Sequence, residues 1–458
     1  MTAPGRSSGR SSSSGGAADS AEARAGAPTP PAELLEPLDA ALDALTEAHV
    51  GWCLLRAPAA PVDEVDLLVA PAGLVLVEEA LAPLGFAVVP AWGRGSHRFF
   101  VAYDESSDRW LKLDLVTELA YGRFQEFRTD AAAGCLARCE RLGRLRALAP
   151  EDEFWSLLLH CLLDKGAVRP AHGRRLRELA AAVGHGGPLA RALGAACPEA
   201  WNPANVLAAA RDGDWPALVA LARPIARRWT RQRPLAVARR ALGGRALRRM
   251  TKLLTLVRRR GLRVVLLGPD GAGKSTLAAA LETSFYVPGR RLYAGLYPAG
   301  SRGRGVPGLR LASRVIRLRW ASLVASYHQA RGRLVIFDRY AYDALLPAGA
   351  APLRSRIRRW LLARSCPEPD LVVVLDAPAE VLYARKGEHT VEILDAQRRR
   401  YLRLGSSLRS AVVVDVTAEA DAVRRAVTAL VWARYRDRRF RPRREGARSV
   451  GAEGMIRQ

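Results

Sequence analysis

At 458 residues the chain is too long for one ordinary core, so two or three domains are expected. Its hydrophobic content of 49% is that of globular protein, and no apolar run reaches the roughly 20 residues needed to span a bilayer. The formal net charge of +26 would ordinarily point to an anionic partner, but nearly all of it is arginine, with lysine confined to Lys112, Lys165, Lys252, Lys274 and Lys386.

Residues 1–30 are rich in Ser, Gly and Ala, contain arginines and lack an apolar segment. They read as a disordered lead rather than a signal peptide, and a soluble cytoplasmic protein is the expectation. Residues 31–148 then carry a helical pattern over Ala32–His49 and short strand patterns at Trp52–Leu55, Val65–Val69, Phe86–Pro90, Arg98–Tyr103 and Arg109–Val116. A helix over Leu74–Leu84 interrupts the strands, giving an α+β unit. On a strand, residues two apart share a face, so Glu64 and Asp66 point together, and Asp114 on a later alternating strand can complete a three-carboxylate cluster. Such clusters hold two Mg²⁺ ions about 3.5–4 Å apart for nucleotidyl transfer, although alternating polar residues are also common on half-exposed strands.

Residues 150–223 are helical in pattern, starting with acids at Glu151, Asp152 and Glu153 that suit a helix N-terminus. His160 and Asp164 lie one helical turn apart without a third metal ligand, which favours structural hydrogen bonding. Trp92, Trp110 and Trp155 read as core or interdomain packing. The six cysteines are scattered with no Cys-x-x-Cys pair, which favours reduced, mostly buried thiols. Residues 224–261 form a basic connector without an acidic side chain, with Leu247, Met250, Leu254 and Val257 at helical spacing. It reads as a docked linker helix or as a contact to an anionic surface.

Residues 262–433 carry the strongest signal. The apolar run Leu262–Leu267 enters Gly268-Pro-Asp-Gly-Ala-Gly-Lys-Ser-Thr276, and Leu277–Leu281 start a helix. This is a complete phosphate-binding loop in its strand–loop–helix setting, so a nucleoside triphosphate is the expected ligand. The backbone of Gly268, Asp270, Gly271, Ala272 and Gly273 can cradle phosphates, with Thr276 following on the helix. Lys274 can reach the β- and γ-phosphates and the Ser275 hydroxyl can ligate Mg²⁺. The buried run Leu334–Phe337 ends in Asp338 and Arg339, which should face the nucleotide at the carboxyl edge of a parallel sheet. Asp338 can hold Mg²⁺ through water and Arg339 can clamp a second phosphate. After a third strand, Asp370–Asp376, Arg385 and Lys386 follow a helix, as either lid cations or a charged helix end. Residues 434–458 form a basic tail.

The phosphate loop, Asp338-Arg-Tyr340, Pro369-Asp-Leu-Val-Val-Val-Leu-Asp376 and Arg385, in that order, resemble the thymidylate kinase family of nucleoside monophosphate kinases. The resemblance implies a parallel sheet flanked by helices, ATP and Mg²⁺ as cofactors, Asp270 near the acceptor sugar, Arg339 on the acceptor phosphate, and Arg385, with Lys386, as lid charge. The family's Arg-Glu-Pro-Gly loop is replaced by Leu292-Tyr-Ala-Gly-Leu-Tyr-Pro298, which leaves the acceptor open. Residues 31–148 resemble the nucleotidyltransferase fold, with Glu64, Asp66 and Asp114 at its carboxylate positions. Its Gly-Ser helix start is absent, and Leu54-Leu-Arg56-Ala-Pro58 stands in that region.

The leading expectation is an α/β phosphotransferase that moves the ATP γ-phosphate to a small-molecule phosphate acceptor, preceded by an α+β nucleotidyltransferase-like unit and a helical connector. Nucleotidyl transfer at the N-terminal carboxylates with a regulatory phosphate loop is one alternative. A nucleotide-dependent adaptor is the other, and a second copy of the chain is a candidate partner.

Overall fold

The computed structural model describes residues 34–56, 58, 62–89, 94–258, 261–295, 307–346 and 352–440. The lead at 1–30, Ala57, Trp92, residues 296–298 of the departing loop, and 441–458 of the tail lie outside the described residues. The fold is α/β, with mixed and parallel sheets flanked by helices.

The N-terminal unit runs α1 (Glu36–Glu47), β1 (Trp52–Leu54), β2 (Glu64–Val69), α2 (Leu74–Leu81), β3 (Ala87–Val89), β4 (Arg98–Asp104), β5 (Arg109–Val116), the short pair β6 (Ala120–Tyr121) and β7 (Phe127–Arg128), α3 (Ala132–Ala137), β8 (Glu140–Leu142) and β9 (Leu145–Ala147). Its main sheet has the order β3-β4-β5-β2-β1-β9-β8. Alternation decides its two faces. In β5, Leu111, Leu113 and Leu115 are buried against α1 and α2, while Trp110, Lys112 and Asp114 emerge on the opposite side. β2 does the same, with Val65 and Leu67 inward and Glu64 and Asp66 outward. Because β2 pairs parallel with β5 in the register Asp66↔Asp114, the carboxylates meet on one face.

A helical layer follows: α4 (Pro150–Leu159), a π-helical turn at His160–Lys165, α5 (Pro170–Ala182), α6 (Pro188–Gly194), α7 (Pro203–Asp212), α8 (Trp215–Ala220), α9 (Ala222–Gln232) and α10 (Pro234–Arg258). Trp155 is fully buried in its core, as expected. The basic connector is two helices, because Pro234, which cannot continue α9, opens α10. It docks on the N-terminal unit through Arg233–Asp130 at 2.7 Å and Arg240–Glu118 at 3.2 Å, and through Arg245 and Arg248 over the Phe124 ring. All six cysteines are free thiols.

The C-terminal unit runs β10 (Leu262–Leu267), α11 (Lys274–Ser284), β11 (Gly289–Leu292), α12 (Pro307–Ala330), β12 (Leu334–Asp338), α13 (Leu353–Ala363), β13 (Leu371–Asp376), α14 (Ala379–Lys386), α15 (Val391–Ser407), β14 (Ala411–Asp415) and α16 (Ala420–Phe440). Its strands form a parallel sheet in the order β11-β12-β10-β13-β14. α16 continues to Phe440, so the start of the tail is helical.

The outer face of β3–β5 packs on α11 and α16. Trp110 donates to the Ser284 carbonyl at 2.9 Å and stacks edge-on against Phe285 and Trp432. Ala87 and Val101 join the core formed by Val431 and Trp432. Trp110 thus packs between the two units, one of the two packing roles its sequence context allows.

Candidate active site

β10 is buried along its whole length and delivers the chain to a loop whose three glycines all take positive φ. A β-carbon on Gly271 would sit 2.6 Å from the Leu382 carbonyl oxygen, and one on Gly268 would sit 2.7 Å from that of Leu375. Only glycine satisfies both the dihedrals and the close approach. Lys274 begins α11 and folds back, its ammonium donating to the carbonyls of Gly268 at 2.8 Å and Pro269 at 2.6 Å. Burial, reinforced by the Arg339 guanidinium, pushes its pKa down to about 8.

β12 pairs with β10 so that Asp338 stands beside Leu266, just before the loop. Asp338 has no ion-pair partner among the described residues, and Ser275 is exposed at the start of α11. A carboxylate without a protein cation and a free hydroxyl near one loop are the donor types Mg²⁺ takes, so these residues fit that ion.

Arg339 follows with φ of 77°, a left-handed conformation rare outside glycine. Its guanidinium donates to Asp270 at 2.7 Å, and His389 lies 3.6 Å from the other Asp270 oxygen. Burial raises the Asp270 pKa, but Arg339, Lys274, Lys386 and His389 together hold it below the usual carboxylate range.

Asp343, five residues beyond Asp338, carries no sequence motif, yet burial lifts its pKa to about 6 despite nearby Arg339 and Lys274. The Tyr401 hydroxyl donates to it at 3.3 Å. Two cations and two acids therefore lie near enough to act on one another's charge, and among these four Arg339–Asp270 is the close ion pair.

On the other side of the loop a cavity of about 320 Å³ is walled by Gly273, Thr276, Arg385, Ala418 and Arg424. Arg385 donates to the Val416 carbonyl at 2.7 Å, and Lys386 pairs with Glu388 at 2.9 Å.

In the N-terminal unit, one oxygen of each of Glu64, Asp66 and Asp114 lies within 4.8 Å of the others. Each carboxylate already has a protein partner: Arg56 to Asp66 at 2.5 Å, His97 to Asp114 at 2.7 Å, and Lys112 to Glu64. Two of the three carboxylates are thus met by Arg56 and Lys112 and the third by an imidazole, so a metal ion held by the trio would have to displace those contacts. Asp66 and Asp114 border a cavity of about 670 Å³, and so do His160, Asp164 and Lys165 of the π-helical turn. His160 and Asp164 do hydrogen-bond, at 2.8 Å, with Asp164 also accepting from the Gly122 N–H at 2.6 Å. The sequence reading missed that this pair lines a cavity, since nothing local brings it to the strands.

No protein-family model matches the chain. Thymidylate kinases of Xanthomonas oryzae pv. oryzae and Xanthomonas euvesicatoria pv. vesicatoria are each 32% identical over 200 residues, covering 39% of this chain and 86% of theirs. That of Xanthomonas campestris pv. campestris is 32% identical over 199 residues with the same coverage. A solved structure of thymidylate kinase from Candida albicans aligns at 19% identity with a TM-score of 0.31, covering 39% of this chain and 92% of that one. No helix among the described residues is long and apolar enough to cross a membrane.

Proposed function

This chain belongs to the thymidylate kinase family, and from that premise we propose that it is an ATP-dependent kinase moving the γ-phosphate onto the phosphate of a nucleoside monophosphate. The observation that carries the reading is a buried Lys274 on the phosphate loop with the Arg339–Asp270 pair close enough to act on its charge.

Phosphoryl transfer asks mainly for positioning and charge neutralisation, and this chain's residues supply both. The N–H groups of Gly271 to Ser275 and the start of α11 take the donor phosphates. Lys274 exchanges its two carbonyl partners for β- and γ-phosphate oxygens. Ser275 and Asp338 would hold Mg²⁺, which when bound neutralises charge on those phosphates. Arg339 binds the acceptor phosphate while Asp270 orients its guanidinium and reaches toward the acceptor sugar. Arg385 and Lys386, at the C-terminal end of α14, supply lid charge. The donor base occupies the cavity walled by Thr276, Ala418 and Arg424.

The N-terminal unit is assigned a nucleotidyltransferase-like layout without transfer chemistry, because Arg56, Lys112 and the His97 ring already engage its carboxylates. The deciding experiment is ATP turnover with Mg²⁺ against a panel of nucleoside monophosphates, dTMP included, with Lys274→Ala as control. Acceptor-dependent ADP formation that disappears in the variant is expected. Turnover indifferent to every acceptor, or unchanged in Lys274→Ala, sinks the assignment.

A further inference from the structure

The N-terminal cavity of about 670 Å³ shares no wall residue with the cavity beside the phosphate loop. Its size suits a nucleotide-sized molecule. Its electrostatics are lopsided. Every carboxylate in the wall is already engaged: Asp66 by Arg56, Asp114 by His97, Asp164 by His160, and Glu118 by Arg128 at 3.1 Å and Arg240 at 3.2 Å. Arg94, Arg123 and Lys165 also line the cavity, and none has a carboxylate partner among the described residues. With the acids spent, the uncommitted charge is positive.

We propose that this cavity is a second ligand site, taking a phosphate-bearing small molecule without a divalent cation. Arg56 and Lys112 stand on Asp66 and Glu64 in place of metal charge, and the His97 ring holds Asp114. Arg94, Arg123 and Lys165, which line the cavity, receive the ligand's phosphate oxygens. Arg56 is central to this. It lies just after β1, and its guanidinium reaches Asp66 directly. The site is independent of the kinase reading above.

The test uses the full chain carrying Lys274→Ala, which removes the phosphate-loop contribution, and titrates pyrophosphate by calorimetry at low salt with EDTA present. One bound pyrophosphate is expected. Its affinity should fall about tenfold or more when Arg94→Ala, Arg123→Ala and Lys165→Ala are combined, the scale of losing charge-assisted hydrogen bonds. All three side chains are exposed, so the fold should persist, and circular dichroism checks it. In parallel, Asp66→Asn should leave unchanged any Mn²⁺ signal that the wild-type chain gives by electron paramagnetic resonance without nucleotide. Absence of pyrophosphate binding in the Lys274→Ala chain, or binding indifferent to the triple substitution, overturns the proposal. So does Mn²⁺ held by the wild type and released by Asp66→Asn.

Discussion

Asp108 in the β4–β5 turn and Arg424 of α16 form a two-pronged ion pair across 316 residues of chain, one prong at 3.0 Å from Nη1 to Oδ1 and the other from Nη2 to Oδ2. Asp108 sits at φ of 56°, and the Tyr103 hydroxyl donates to it at 2.6 Å. The two donors pull its pKa down to about 2. Arg424 in turn walls the cavity next to the phosphate loop, so a residue of the N-terminal unit braces the candidate donor site of the other. Asp108→Ala should raise the KM for ATP about two- to fivefold with kcat little changed, the scale of a partly exposed pair. Asp108→Glu should restore part of the loss. Steady-state kinetics with varied ATP decide it, and an unchanged KM would show that the brace does not reach the nucleotide.

Lys274, with its pKa near 8 in the nucleotide-free protein, offers a proton-linkage signature. A lowered lysine pKa means the free site is partly neutral near that pH, and an incoming polyphosphate favours the charged form. ATP binding at about pH 8 should therefore take up protons, and the uptake should shrink toward pH 6. Calorimetry in buffers of different ionisation enthalpy measures this directly. A binding enthalpy independent of buffer at pH 8 would contradict the linkage.

Asp343 gives the opposite case. Its pKa of about 6 lies above the unfolded value near 3.8, so between those pH values the folded state holds more protons than the unfolded one. Its contribution to stability therefore falls as pH rises through that window. Its carboxylate also competes with phosphate for Lys274 and Arg339. Phosphate affinity should rise as pH drops through about 6, and Asp343→Asn should erase that inflection.

Gly271→Ala tests the loop geometry. The substitution meets both a φ of 88° and the Leu382 carbonyl, and should cost about 1–3 kcal/mol of stability together with nucleotide binding. Thermal unfolding and an ATP titration on the same protein read the two effects.

Trp110→Phe keeps much of the aromatic packing on Phe285 and Trp432 but removes the bond to the Ser284 carbonyl. A loss of about 1 kcal/mol is expected in denaturant unfolding. Trp110→Ala should cost about 3–5 kcal/mol, since it empties a packed aromatic site between the units.

What the sequence determined by itself was local. Strand, glycine loop and helix are contiguous from Leu262 to Leu281, so period, dihedral demand and motif all sit within one window. The alternation that turns Glu64, Asp66 and Asp114 to one face was legible for the same reason, because a strand's period of two is a property of the backbone. Tertiary structure decided the rest, chiefly who neutralises whom. Arg56 and His97 come from segments outside the strands that carry Asp66 and Asp114, Asp343 becomes perturbed only through burial, and Arg424 finds Asp108 only when two units dock. The return of β8 and β9 to the first sheet, and the placing of His160 beside its cavity, likewise depend on long-range packing. Charge pairing and desolvation act through space between groups far apart in sequence. The chain order that encodes a loop therefore carries little trace of them until the core has formed.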